Sequence, residues 1–145
     1  MAEDNLRSVE LTRTAKGTYT ATNVRGGTLR LGTGEDADFT PVELLLAAIA
    51  GCSAIDVDLI TSKRSEPEAF TATAAGNKIR DDQGNRLTEL RLDFGISFPD
   101  DDGGRAAAEV LERAIRQSHD RLCTVGRTVE VASPISTSLA GRPIA

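Results

Sequence analysis

Hydrophobic and polar positions change period several times along this chain, and each change marks an element. Near the amino end Val9 and Leu11 alternate with Ser8, Glu10 and Thr12, and Thr18-Tyr19-Thr20-Ala21-Thr22 is rich in strand formers. Ala15-Lys16-Gly17 and Arg25-Gly26-Gly27 supply turns, the second leading into Thr28-Leu29-Arg30-Leu31. These signals predict a small antiparallel meander. A glycine- and acid-rich loop from Gly32 to Phe39 follows. Thr40-Pro41-Val42-Glu43 then reads as a capping box with proline in the first turn, which starts a helix running to about Ser62.

That helix is apolar almost all round in its first half. No residue from Leu44 to Ile55 carries a charge, a run of about 12 that is too short to span a bilayer. A helix apolar on every side belongs inside a core. One meander would cover one face, so the other needs the second half of the chain or a second subunit.

Beyond the exposed loop Lys63-Arg64-Ser65-Glu66-Pro67-Glu68, strand signals return. Phe70 to Ala75 is rich in threonine and alanine, and Asp81-Asp82-Gln83-Gly84-Asn85 is a strong turn. Leu90, Leu92, Phe94, Ile96 and Phe98 then alternate with Arg91, Asp93, Gly95 and Ser97, as in a half-buried strand. Pro99 to Gly104 breaks the run. Ala107, Val110, Leu111, Ala114, Ile115, Ser118 and Leu122 follow helical spacing, which predicts an amphipathic helix ending near Cys123. Val129 and Val131, alternating with Thr128 and Glu130, predict a final strand. The order of strands, core helix, strands, helix and strand is that of an α+β domain.

A chain of 145 residues is expected to form one domain, residues 1–145, large enough to bury roughly 70% of its unfolded surface without a disulfide or metal. Its net charge of −5 and lack of a long basic block argue against nucleic acid or an anionic membrane as partner. Met1-Ala2-Glu3-Asp4-Asn5-Leu6-Arg7 has acids early and no apolar block, unlike a secretory signal. A cytoplasmic location is expected, where thiols stay reduced and a disulfide is transient.

The candidate chemistry lies in the two cysteines. Cys52 sits at the centre of the apolar helix, and Cys123 follows Ser118-His119-Asp120-Arg121-Leu122 at a polar boundary. Free cysteine often serves merely as a small buried hydrophobe, a reading that suits Cys52 better than Cys123. His119 and Cys123 stand four residues apart, as do Cys52 and Asp56, so these four could in principle ligate zinc from two helices. A Cys–His hydrolase using His119 lacks an orienting third group.

The two cysteine neighbourhoods together resemble the OsmC/Ohr family of organic hydroperoxide reductases. The matching residues are Thr40-Pro41-Val42-Glu43-Leu44-Leu45-Leu46-Ala47-Ala48 up to Gly51-Cys52, and Cys123-Thr124-Val125-Gly126-Arg127-Thr128-Val129. Pro-x-Glu-Leu-Leu-Leu, with Ile55-Asp56-Val57 after the cysteine, looks closest to the broad OsmC-like branch. The resemblance implies an intertwined homodimer with antiparallel sheets wrapped around long central helices. It further implies a peroxidase without metal, haem or other cofactor, in which Cys52 attacks an organic hydroperoxide, becomes a sulfenic acid and is resolved by Cys123. A thiol or dithiol would reduce the product.

Such a reaction needs a thiolate, and a thiol of pKa about 8.5 is only a few per cent ionised at pH 7. Cys52 lies about three turns into its helix, beyond reach of the amino-terminal dipole, so a cation must come from elsewhere. In the family an arginine of the amino-terminal meander does this, and Arg25 in Asn23-Val24-Arg25-Gly26-Gly27 is the best match, with Arg30 second. The family glutamate that follows the proline is replaced here by Val42, with Glu43 one residue on, and Thr124 replaces the proline common after the second cysteine. Glu43 is thus a candidate catalytic acid with a complete alternative explanation as the helix cap. The rival function is an OsmC-like protein that binds a small apolar ligand, or senses oxidation, without significant turnover.

Overall fold

Residues 5–145 are described by the computed structural model, so the reading of Met1–Asp4 falls outside the described residues. The chain divides into two units, Met1–Leu46 and Ala47–Ala145, with the boundary inside the core helix.

In the first unit β1 (Val9–Ala15), β2 (Thr18–Asn23) and β3 (Thr28–Leu31) form the expected antiparallel meander in the order β1-β2-β3. Gly17, at φ 73°, turns β1 into β2 in a left-handed conformation that a side chain would resist. The second turn is built around Asn23, whose Oδ1 accepts from the backbone N–H groups of Arg25 at 2.9 Å and Gly27 at 3.0 Å. That Asx turn fixes the backbone of Arg25 at the tip of the hairpin. The loop after β3 is closed by the Gly32 N–H donating to the Phe39 carbonyl and by an Arg30–Asp38 ion pair at 3.1 Å. Helix α1 (Pro41–Thr61) begins as the sequence predicts: Glu43 N–H donates to Thr40 Oγ1, and Glu43 Oε1 accepts from Thr40 N–H.

As a whole, α1 is long and apolar enough to cross a membrane by length and composition, although Asp56 and Asp58 interrupt the apolar run. Its buried residues are Ser53, Val57 and Thr61, one stripe at fourfold spacing. Ile55 and Leu59, off that stripe, are 62% and 65% exposed. The chain alone therefore covers a narrow face of a helix that is apolar on several sides.

The second unit continues with a long hairpin, β4 (Ala69–Asp81) and β5 (Gly84–Ser97), joined through Asp82-Gln83 with Gly84 at φ 102°. Both strands run past the segments predicted for them, up to the turn. Leu92, Phe94 and Ile96 are half-buried as the alternation requires, and Phe94 meets Phe70 edge-on at 6.2 Å. Leu90 departs from the pattern. The register shifts between Ala75 and Asn77, Glu89 takes a positive φ of 52°, and Leu90 comes out on the exposed side over Gly76. A bulge moves one residue off its face, and alternation alone cannot reveal it.

Asp101 caps α2 (Asp102–Gln117), its carboxylate accepting from Gly104 N–H at 2.7 Å. Gly104 is buried so tightly that a Cβ there would stand 1.8 Å from the Pro99 carbonyl oxygen, so this position requires glycine. After α2 comes a single π turn, Ser118–Leu122, in which Cys123 N–H donates to the Ser118 carbonyl at 2.9 Å. The extra residue in this turn rotates the helical pattern: Leu122, expected on the apolar face, is exposed, and Cys123 is buried in its place.

The predicted final strand is a helix, α3 (Thr124–Val131). Its four-residue alternation of valines is too short to exclude helical packing, and its amino-terminal signal is unusual because the capping group is a thiol. Beyond it, β6 (Ser138–Leu139) and β7 (Arg142–Pro143) form a small exposed hairpin.

Candidate functional site

The π turn and α1 bring the two cysteines together in the second unit. Cys123 is 3% exposed and Cys52 is half-buried. Both are free thiols. Burial pushes the Cys123 thiol up from its ordinary range, an effect to which the neighbouring Cys52 and the charge of Asp56 add. The Gly126 N–H opposes it by donating to Cys123 Sγ at 3.2 Å. Cys123 is thereby both a candidate site residue and the N-cap of α3. Gly126 has little room for anything larger, since a Cβ would meet Cys123 Sγ at 3.3 Å.

Beneath the thiols lies a polar network that the sequence does not reveal. Ser118 Oγ donates to Asp56 Oδ2 at 2.8 Å, and the Ser53 and Ser118 hydroxyls are 2.9 Å apart. Ser53 and Ser118 are buried and Asp56 is half-buried, and among the described residues no buried side-chain polar atom lacks a partner. The only sequence signal for it is the fourfold spacing that sets Asp56 one turn beyond Cys52. Its partner Ser118 is 62 residues away from Asp56.

On the outer side of the turn His119 Nδ1 lies 2.9 Å from Asp120, and Nε2 lies 3.1 Å from Glu130, which also pairs with Arg127 at 2.8 Å. The Asp120 hydrogen bond and the Glu130 charge raise the His119 pKa. His119 is thus engaged with carboxylates on the surface. Among the described residues no group of three or more His, Cys, Asp or Glu side chains is arranged to hold a metal ion.

Arg25 and Glu43 belong to the first unit. Arg25 is exposed, and among the described residues its side chain has no ion pair, whereas Arg30 is paired with Asp38. Glu43 is engaged in the capping box with Thr40.

Comparison with known proteins agrees with this architecture. The profile of the OsmC-like protein family matches residues 32–138, a span that includes α1, both hairpin strands and both cysteines. The chain belongs to the OsmC-like family. A relative in Mycobacterium tuberculosis, an uncharacterized protein, is 29% identical over 127 residues, covering 86% of this chain and 89% of its own. Among solved structures, an OsmC-like protein of unknown function from Vibrio cholerae superposes with a TM-score of 0.73 at 18% identity, covering 87% of this chain and 94% of its own. An organic hydroperoxide resistance protein, OsmC, from Legionella pneumophila gives 0.59 at 16% identity, covering 86% and 90%. These similarities show that the α+β architecture of antiparallel sheets and helices is the OsmC-like fold.

Proposed function

We propose that this OsmC-like protein is a cysteine-based peroxidase that reduces organic hydroperoxides. The observation that carries the reading is the meeting of Cys52 with a buried Cys123 across two elements far apart in sequence. Membership of a family with organic hydroperoxide resistance proteins among its solved structural neighbours supports it. In the proposed cycle the Cys52 thiolate takes the distal oxygen of the hydroperoxide and becomes a sulfenic acid, and the alkoxide leaves and is protonated to an alcohol. Cys123 then attacks Cys52 and displaces the hydroxyl as water, forming the Cys52–Cys123 disulfide. A thiol or dithiol reductant supplies two electrons and two protons to restore both thiols. No metal or organic cofactor takes part in this scheme.

Arg25 is the cation proposed to favour the Cys52 thiolate, since Arg30 is engaged by Asp38. Glu43 enters as the group that fixes the start of α1, with a catalytic share only if the cap opens. A homodimer supplies the cover that Ile55 and Leu59 lack, through an obligate-type interface of more than about 2,000 Å² in total. Gly51 is consistent with a close partner: within the second unit nothing lies within 4 Å of where its Cβ would stand, yet glycine inside a helix costs about 1 kcal/mol. We place the protein in the cytoplasm, without nucleic-acid or membrane partners.

The test is consumption of cumene hydroperoxide over many cycles with a dithiol reductant. Wild type should turn over, Cys52→Ser should be inert, and the active protein should sediment as a dimer. A single oxidation without turnover would favour the sensing or ligand-binding reading, which Val42 after Pro41 supports.

A further inference from the structure

We infer that Asp56 is a positioning residue for the resolving cysteine: through Ser118 it clamps the turn that carries Cys123, and it sets the order in which the two thiols react. The inference rests on the peroxidase reading and adds to it a residue whose carboxylate acts on Cys123 through position and charge.

The clamp is continuous. Cys123 N–H donates to the Ser118 carbonyl, and the Ser118 hydroxyl donates to the Asp56 carboxylate and lies against Ser53 on the same helix. Asp56 stands one helical turn beyond Cys52, so one face of α1 carries both the attacking thiol and the anchor for its partner. Every member of this chain of bonds is within the second unit.

Charge gives the clamp a second effect. From α1 the groups acting on Cys123 are Cys52 and Asp56, and from α3 the Gly126 N–H. Of the other charged groups on the turn and on α3, His119, Asp120, Arg127 and Glu130 pair with one another on its outer side, and Arg121 is exposed. An anion beside Cys123 disfavours a second thiolate next to Cys52, so Cys123 waits as a thiol while Cys52 meets the peroxide. Oxidation of Cys52 to a neutral sulfenic acid removes one of the two negative neighbours. Cys123 can then give up its proton, which leaves with the hydroxyl as water when the disulfide closes.

The experiment measures alkylation of Cys123 against pH in the full-length Cys52→Ser protein, with Asp56 intact, as Asp56→Asn and as Asp56→Glu. Asparagine keeps an acceptor for Ser118 but removes the charge. It should lower the pH midpoint and speed alkylation at pH 7 by roughly two- to threefold, because burial is the larger cause of the raised thiol and remains in the variant. Glutamate should restore most of the original midpoint. Ser118→Ala keeps the charge and cuts the link, so in the two-cysteine protein it should slow disulfide closure several-fold while sulfenic acid forms at an unchanged rate. If both Asp56 variants titrate like their parent, or if Ser118→Ala closes the disulfide at the wild-type rate, the inference is wrong. The alkylation arm uses no peroxide. Absence of sulfenic acid in wild type would therefore overturn the peroxidase reading and leave the effect of Asp56 on Cys123 to be read separately.

Discussion

Two polar clusters flank the turn that delivers Cys123, and they differ in the property that decides what each is worth. The inner one, Ser53–Ser118–Asp56, is largely shut away from water and leaves no buried side-chain polar atom without a partner. The outer one, His119–Asp120–Arg127–Glu130, has shorter routes to solvent and more formal charge. A buried hydroxyl that loses its partner leaves desolvated groups behind, whereas an exposed ion pair gives way to water at little cost. The cluster with fewer charges should therefore matter more.

Paired substitutions can break this ordering. Ser118→Ala strips Asp56 and Ser53 of a partner and should destabilise the fold by about 1–3 kcal/mol in chemical denaturation. Glu130→Gln should cost less than about 1 kcal/mol. Equal losses would mean that burial does not separate the two clusters.

The smallest effect is a pH dependence. The folded-state pKa of His119 is raised above 6.5, first by its hydrogen bond with Asp120 and then by the charge of Glu130. Its contribution is present in full below the unfolded value and is lost as pH rises through the folded one. Stability measured from pH 5.5 upward should show a decline that His119→Gln abolishes. Because the ring is exposed, the decline should stay below about 1 kcal/mol. A rise in stability over the same window would reverse the sign of the argument.

These clusters also show what a sequence can disclose. The meander, the capping box, the strong turn at Asp81–Asn85 and the two helical patterns rest on local signals, within a few residues of each other, and the structure has them all. The α3 segment misleads because Val129 and Val131 suit a strand, while the helix is started by Cys123 Sγ accepting from Gly126. The π turn is equally hidden, and it exchanges Leu122 for Cys123 on the buried side. Ser53, Asp56 and Ser118 are ordinary residues until folding joins positions more than sixty apart. Both cysteines were legible from their neighbourhoods, but the network supporting one of them was not.

The pairing of Cys52 with Cys123 is the central claim, and intact-mass spectrometry of the reduced protein after a single equivalent of cumene hydroperoxide tests it most directly. Wild type should become two hydrogen atoms lighter, with a Cys52–Cys123 bond recovered in the peptide digest. Cys123→Ser should instead gain one oxygen on Cys52, and proceed to higher oxides when further equivalents are added. A wild-type protein that forms no such disulfide, or that oxidises equally well as Cys52→Ser, would contradict the account.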